Sequence, residues 1–234
     1  MSAPEPRMIA TWQAPCSGDT TSQELLVSFE RGRDRRTLVL PALFDEANKM
    51  RRFTVQVMRA LDDLGVDSFL PDLPGCNESL VPLDNLSLED LRVAASAAAE
   101  AFGATEVLTI RAGALLAPAS LPTWQYAPQT GAKLLRSMLR ARLIASREAG
   151  RAETQEQLLE EGRKSGLMLA GWPIGAAMFQ ELETAVPSAS ATQHVIAQSQ
   201  VGGGGLWLRA EPSHDQTQAD ALAQIIAAND RGDT

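Results

Sequence analysis

The chain has only two cysteines, Cys16 and Cys76, among 234 residues. That is too few for a disulfide framework. Histidine is equally scarce, at two residues, and no metal site or other cofactor is expected. Long hydrophobic runs are missing. No stretch approaches the roughly 18 apolar residues that cross a bilayer. The start, MSAPEPRMIATWQAP, lacks an apolar core behind a basic end and does not read as a signal peptide. Positive charge is in deficit, with a formal net charge of -8. This argues against nucleic acid or an anionic membrane as partner, since both reward a basic surface. A cytoplasmic protein with no membrane insertion is expected. No internal repeat is visible. What is present is globular: 44 % hydrophobic and 21 % charged residues. At this length that composition supports one substantial core, so residues 1–234 are expected to form a single domain.

Residues 1–22 are polar, with Pro4, Pro6 and Pro15, and are expected to lie loosely on the surface. Residues 24–29 (ELLVSF) read as a strand, and RGRDRR as a polar turn. Residues 37–43 (TLVLPAL) are a continuous apolar run, which suits a strand buried on both faces of a parallel sheet. A helix is expected over 48–64. Its apolar residues Met50, Phe53, Val57, Leu61 and Leu64 recur at three- and four-residue spacing, and Gly65 stops it. Residues 66–70 read as a short strand. A second helix follows over 88–102, with Ser87 as cap, Asp90 closing a capping box and Gly103 past its end. Residues 107–110 (VLTI) are the next strand. Such a βαβ series builds a parallel sheet with right-handed crossovers.

Residues 129–185 read as mostly helical. Leu134, Leu135, Met138, Leu139 and Leu143 form one stripe, and Leu158, Leu159, Leu167 and Leu169 belong to later helical turns. Residues 194–197 and 206–209 read as strands, and Ser213 as the cap of a last helix through residue 228. The expected fold is α/β: a mostly parallel sheet with helices on both faces and a helical lid insert at about 129–185. This layout resembles the α/β hydrolases.

Four constellations carry chemistry. PDLPGCNES (residues 71–79) follows a strand with Asp-x-x-Gly-x-x-x-Ser, a loop of the α/β-hydrolase kind. Gly75 supplies backbone freedom there and Asp72 side chain-to-backbone bonds. Cys76 has no histidine partner in sight. The second is VLTIRAGALLA (residues 107–117), which lies on the strand-to-helix elbow Gly-x-Ser-x-Gly. Thr109 takes the first glycine, Arg111 the serine and Gly113 the second glycine. A guanidinium is not a nucleophile. Arg111 either pins loops or binds a carboxylate, phosphate or sulfate in bidentate fashion.

The third constellation is Ser213-His214-Asp215, where the triad histidine of such a fold normally lies. No Asp or Glu stands in HVIAQSQV (residues 194–201) to orient it, and a histidine with neither nucleophile nor orienter is no triad. His214 remains the single catalytic candidate, and His194 reads as structural in a buried strand. The fourth is DEANKMRR (residues 45–52), which opens a helix at the mouth of the expected cleft. Its Glu46, Asn48 and Lys49 are candidate ligand-binding groups beside Arg111. Two features are weaker. Arg136, Arg140 and Arg147 share one side of a helix, either a solvated face or a site for an anionic partner. Gly202–Gly205 read as a flexible turn, not a phosphate loop.

These stretches together resemble the second hydrolase-like family associated with the exosortase A system of Gram-negative bacteria, over about residues 37–228. PALFDEANKMRR, DLPGCNES, IRAGALLA, and Trp124-Gln125 with residues 134–142 carry the resemblance, and Trp124 joins the candidate ligand-binding residues on this ground. Asn77 stands in place of a glycine, Trp172 in place of a tyrosine, and Ser213-His214 in place of an aromatic pair. The resemblance implies a role near exopolysaccharide production and protein sorting, and possible protein partners there. Three functions stay open. One is a pseudoenzyme that binds a small anionic or acyl ligand or a partner protein. Another is an ester or thioester hydrolase with His214 as base and Ser79 or Ser213 as nucleophile. The last is a non-catalytic scaffolding subunit.

Overall fold

The computed structural model describes residues 9–16 and 20–228. A seven-stranded sheet runs through the molecule in the order β1-β2-β4-β3-β5-β6-β9. Strand β1 (Ile9–Pro15) pairs antiparallel with β2 (Thr21–Phe29), and β2 antiparallel with β4 (Asp67–Pro71). From there the sheet is parallel: β4 with β3 (Arg36–Leu40), then β5 (Glu106–Ile110), β6 (Thr123–Tyr126) and β9 (Gln193–Ile196). The central strands β4 and β5 are buried along their whole length, as parallel strands covered on both faces must be.

Alternation along the strands divides the core. Leu38, Leu40, Phe69 and Val107 face α2 (Leu88–Ala101) and the segment between β6 and β9. Val39, Leu70, Leu108 and Ile110 face α1 (Asp45–Asp63) and α7 (Gln216–Ala228). Helix α2 starts on the expected capping box: Ser87 Oγ accepts from Asp90 N–H, and Asp90 accepts from Ser87 N–H at 2.8 Å.

The segment between β6 and β9 holds α3 (Gly131–Glu148), α4 (Gln155–Ser165), a hairpin of β7 (Leu167–Leu169) and β8 (Trp172–Ile174), and α5 (Ala176–Thr184). The hairpin stands where residues 167 and 169 are expected to be helical. Its turn is Ala170-Gly171, both at positive φ, 50° and 85°, the geometry that tight hairpins need. A short helix α6 (Gln198–Val201) follows β9.

Further expectations are corrected. Residues 9–15 are not loose surface chain but a strand, which buries Trp12 and Ala14. Residues 206–209 are not a strand: Leu206–Leu208 is a 3-10 turn, so β9 is the last strand of the sheet. Asp215, not Ser213, caps α7, accepting from Gln218 N–H at 3.2 Å. His194 is exposed on β9 and stacks on Trp124 with centroids 4.6 Å apart.

Candidate functional site

Four neighbouring strands end at one edge of the sheet, and backbone strain gathers just past them. Phe44 after β3 has φ 54°, Asn77 after β4 49°, Arg111 after β5 55° and Ala127 after β6 45°. Among the described residues, only one other non-glycine, Ala170, has positive φ. Left-handed conformations cost such residues about 1–3 kcal/mol each and persist where the surroundings impose them. The carboxyl edge of an open α/β sheet is also where such folds hold their ligands.

Arg111 is the apex of the turn between β5 and a 3-10 segment, Arg111–Leu115. Gly113 lets that turn close, since a Cβ there would stand 2.4 Å from the carbonyl oxygens of Leu40 and Pro41. The turn stands where the elbow is expected, with a guanidinium at its tip, but a five-residue 3-10 segment follows it where the sequence reads as a helix start. Nε donates to Glu46 Oε2 at 2.9 Å and Nη2 to Glu46 Oε1 at 3.2 Å, a bidentate pair. Nη1 donates to the carbonyl of Ala127 at 2.9 Å, and Nη2 to Gln129 Oε1 at 2.9 Å. Four of the guanidinium's five N–H groups are thus engaged. The Trp207 ring covers the guanidinium at 4.1 Å. The Arg111 and Glu46 side chains are 13 % and 12 % exposed. Fully buried Tyr126 meets the edge of Trp207 at 6.1 Å, and burial pushes its hydroxyl up to about 12.

Beside the elbow lies an apolar cavity lined by Leu43, Phe44, Leu73, Cys76, Leu116 and Trp172, among others. It leaves about 20 Å³ free, room for roughly one water. The rings of Phe44 and Trp172 meet at 5.7 Å, so β8 closes directly onto the first turn of α1. Burial, and then the Asp72 and Glu24 carboxylates, push the Cys76 thiol up to about 12. It is a lining group and not a ready nucleophile. The loop that carries it is pinned from several sides. Asp72 accepts from Asn77 Nδ2 at 2.7 Å, while Ser79 Oγ accepts from Gly75 N–H at 2.9 Å and donates to Glu24 at 2.7 Å.

Of the candidate residues, Arg111 and Glu46 come together. Lys49 turns to Asp45 at 2.8 Å on the same helix, and Asn48 is exposed. Trp124 donates its indole N–H at 2.9 Å to Glu106, which opens β5 at the opposite end of the sheet from Arg111. His214 is half-buried. Among the described residues no hydrogen bond joins it to a serine: Ser213 accepts from Arg209, and Ser79 is held as above. No group of three metal-ligating side chains stands close enough to hold an ion, again among the described residues. Reading the sequence missed Gln129, Trp207 and Trp172. Pro122 and Pro128 bracket the strand that leads to Gln129 and are the signal that marks it.

No family model matches the chain, and neither does any curated protein. Solved structures do match. The chain aligns with epoxide hydrolase A of Mycobacterium thermoresistibile at 19 % identity and a TM-score of 0.39, covering 51 % of this chain and 39 % of that one. It thus spans about two fifths of that protein's length. A thermophilic esterase from Thermogutta terrifontis aligns over 95 % of this chain and 98 % of its own, at 14 % identity and a TM-score of 0.55. The chain has the α/β-hydrolase fold. The bottromycin epimerase BotH, solved with bottromycin A2, shares it at 13 % identity and a TM-score of 0.50, over 94 % of this chain and 98 % of that one.

Proposed function

We propose that this chain is a non-hydrolytic α/β-hydrolase-fold binding protein, one domain with residues 129–185 as its lid, taking a small acyl-type ligand in the cleft beside the elbow. The observation that carries this reading is the Arg111 cluster. The position of a nucleophile holds a guanidinium that is consumed by Glu46, Ala127 and Gln129 and covered by Trp207. No Asp or Glu stands in residues 194–201, on β9 and just past it, to orient His214. A guanidinium so engaged serves the shape of the elbow, and the ligand falls to the apolar cavity beside it. That cavity, walled by Phe44, Leu73, Leu116 and Trp172, suits an acyl chain better than an anion. At its present size it admits a ligand only when Trp172 lifts from Phe44, so β8 acts as the gate. The epimerase neighbour, solved with bottromycin A2 bound, is a precedent for ligand binding on this fold in a protein not named as a hydrolase.

A cytoplasmic place near exopolysaccharide production rests on the resemblance of four sequence stretches alone. Deleting the gene and measuring secreted polysaccharide tests it.

The cleft reading is tested by two measurements on the full chain. A fluorophosphonate probe followed by mass spectrometry should label no serine. A medium-chain fatty acyl probe should change tryptophan emission in the wild type, and this change should be largely lost in Trp172→Phe. Stoichiometric labelling of one serine, abolished by His214→Ala, would restore the hydrolase. An emission change that survives in Trp172→Phe would remove the gate.

A further inference from the structure

We propose that the exposed face of α3 docks the protein onto an anionic lipid surface. Lys133, Arg136, Arg140 and Arg147 are all exposed. With Ile144, which is 50 % exposed, they fall within an arc of about 80° along about 21 Å of helix. None of the four cations has an ion-pair partner among the described residues. Their neighbours on the same segment do: Arg142 holds Glu153 at 2.6 Å and Arg163 holds Glu183 at 2.7 Å. Glu148, the one acid of α3, lies at the flank of the stripe. The opposite face of the helix is spent on the core through Leu134, Leu135, Met138 and Leu139.

The charge of the whole chain, -8, argues against an anionic surface only as an average. The acids nearest the stripe are Glu148 at its flank and Glu183, which lines the same surface hollow as Arg136 and is already held by Arg163. With α3 against a surface, acidic groups lying beyond about 8 Å are screened at physiological salt. Each Lys or Arg held near an anionic leaflet strengthens binding about fivefold. A basic row with one exposed apolar residue at its edge, Ile144 between Arg140 and Arg147, fits a headgroup plane, where Ile144 reaches below the charges. The docking is independent of what the cleft holds, so the two readings stand or fall separately.

Vesicle flotation of the full chain tests it. The wild type should float with phosphatidylcholine vesicles that contain phosphatidylserine, should not float with phosphatidylcholine alone, and should lose binding at high salt. Arg140→Gln should weaken binding about fivefold, whereas Arg59→Gln, the same charge change at an exposed position of α1, should leave it unchanged. Replacing all four stripe cations with Gln should weaken it at least a hundredfold. Glutamine is a good helix former, so these variants should fold, and circular dichroism checks that they do. Equal losses from Arg140→Gln and Arg59→Gln would overturn the proposal. So would binding to immobilised polyglutamate without binding to anionic vesicles, which would reassign the stripe to an acidic protein.

Discussion

Replacing Arg111 with alanine should destabilise the protein far more than a surface substitution does. The change leaves the Glu46 carboxylate, in a residue 9 % exposed, without its bidentate partner. It also strips donors from the Ala127 carbonyl and from Gln129. Removing one member of a buried pair costs about 3–5 kcal/mol. The small remaining exposure of both side chains places the expected loss near the lower end, about 3 kcal/mol. A domain holds only about 5–15 kcal/mol in total. Two further variants separate the causes. Arg111→Gly loses the same charge but releases the positive φ, and should be about 1 kcal/mol more stable than Arg111→Ala. Arg111→Met with Glu46→Leu removes both charges, and should cost less than the sum of the single changes by about 1–3 kcal/mol. Urea unfolding followed by circular dichroism, at unchanged m-value, measures all of these. If Arg111→Ala stays within about 0.5 kcal/mol of the wild type, or if the pair is additive, the guanidinium is not bracing the elbow. It would then be free for a ligand.

Gly113→Ala forces a Cβ to 2.4 Å from two backbone carbonyls, and neither neighbour is a side chain that can swing away. A loss of about 1–3 kcal/mol from overpacking is expected, seen as a lower urea midpoint. Cys76, held near 12 by burial, should resist iodoacetamide in the native protein at pH 8 and react once urea unfolds it, as peptide mass spectrometry would show. Glu153 is held down to about 2, first by Arg142 and then by Ser146, against about 4.5 for a free carboxyl. A lowered carboxyl stabilises fully above its unfolded value and loses that contribution as pH falls from about 5 through 2. Glu153→Gln should therefore be less stable at pH 7 and lose less stability over that acid range. An identical acid profile in wild type and variant would contradict the pairing.

The inner strands β3 and β5 are legible because most of their residues are apolar. Residues 37–40 and 107–110 lie inside strands buried along their length, and Ser87 with Asp90 marked a helix start that the structure reproduces. Where burial is not signalled by apolar residues, the reading failed. Strand β6 buries Thr123 and Gln125 at 0 % and 1 % exposure, so its composition does not announce a core strand. Strand β1 hides Trp12 and Ala14 in a proline-bearing, polar stretch. The alternating Leu206 and Leu208 suggest a strand, yet Gly202 and Gly203 at positive φ turn the chain before them, and Leu206–Leu208 wind into a 3-10 turn. The site was legible only at its centre. The offset of Gly113 from Arg111 located the elbow and the helix start at its mouth marked Glu46, but the other partners of the guanidinium come from Gln129, 18 residues later, and from Trp207, far later still. Such contacts leave no local pattern to read.

The strain at the carboxyl edge bears on why an elbow without a serine keeps its shape. Phe44, Arg111 and Ala127 each hold a left-handed backbone that a non-glycine residue resists. Arg111 is where these three strained turns are tied together. Its guanidinium grips Glu46, two residues past Phe44, and at the same time the carbonyl of Ala127. One side chain thus fixes the turns after β3, β5 and β6, and Trp207 shields the knot from water. Phe44 in turn carries the ring on which Trp172 rests. The bracing by Arg111 and the closure of the cavity are therefore mechanically linked. Loosening the ion pair should free Phe44 and with it the gate, so Arg111→Ala should raise the accessibility of the cavity as well as lower stability. A more stable elbow and a tighter cleft would have to change together.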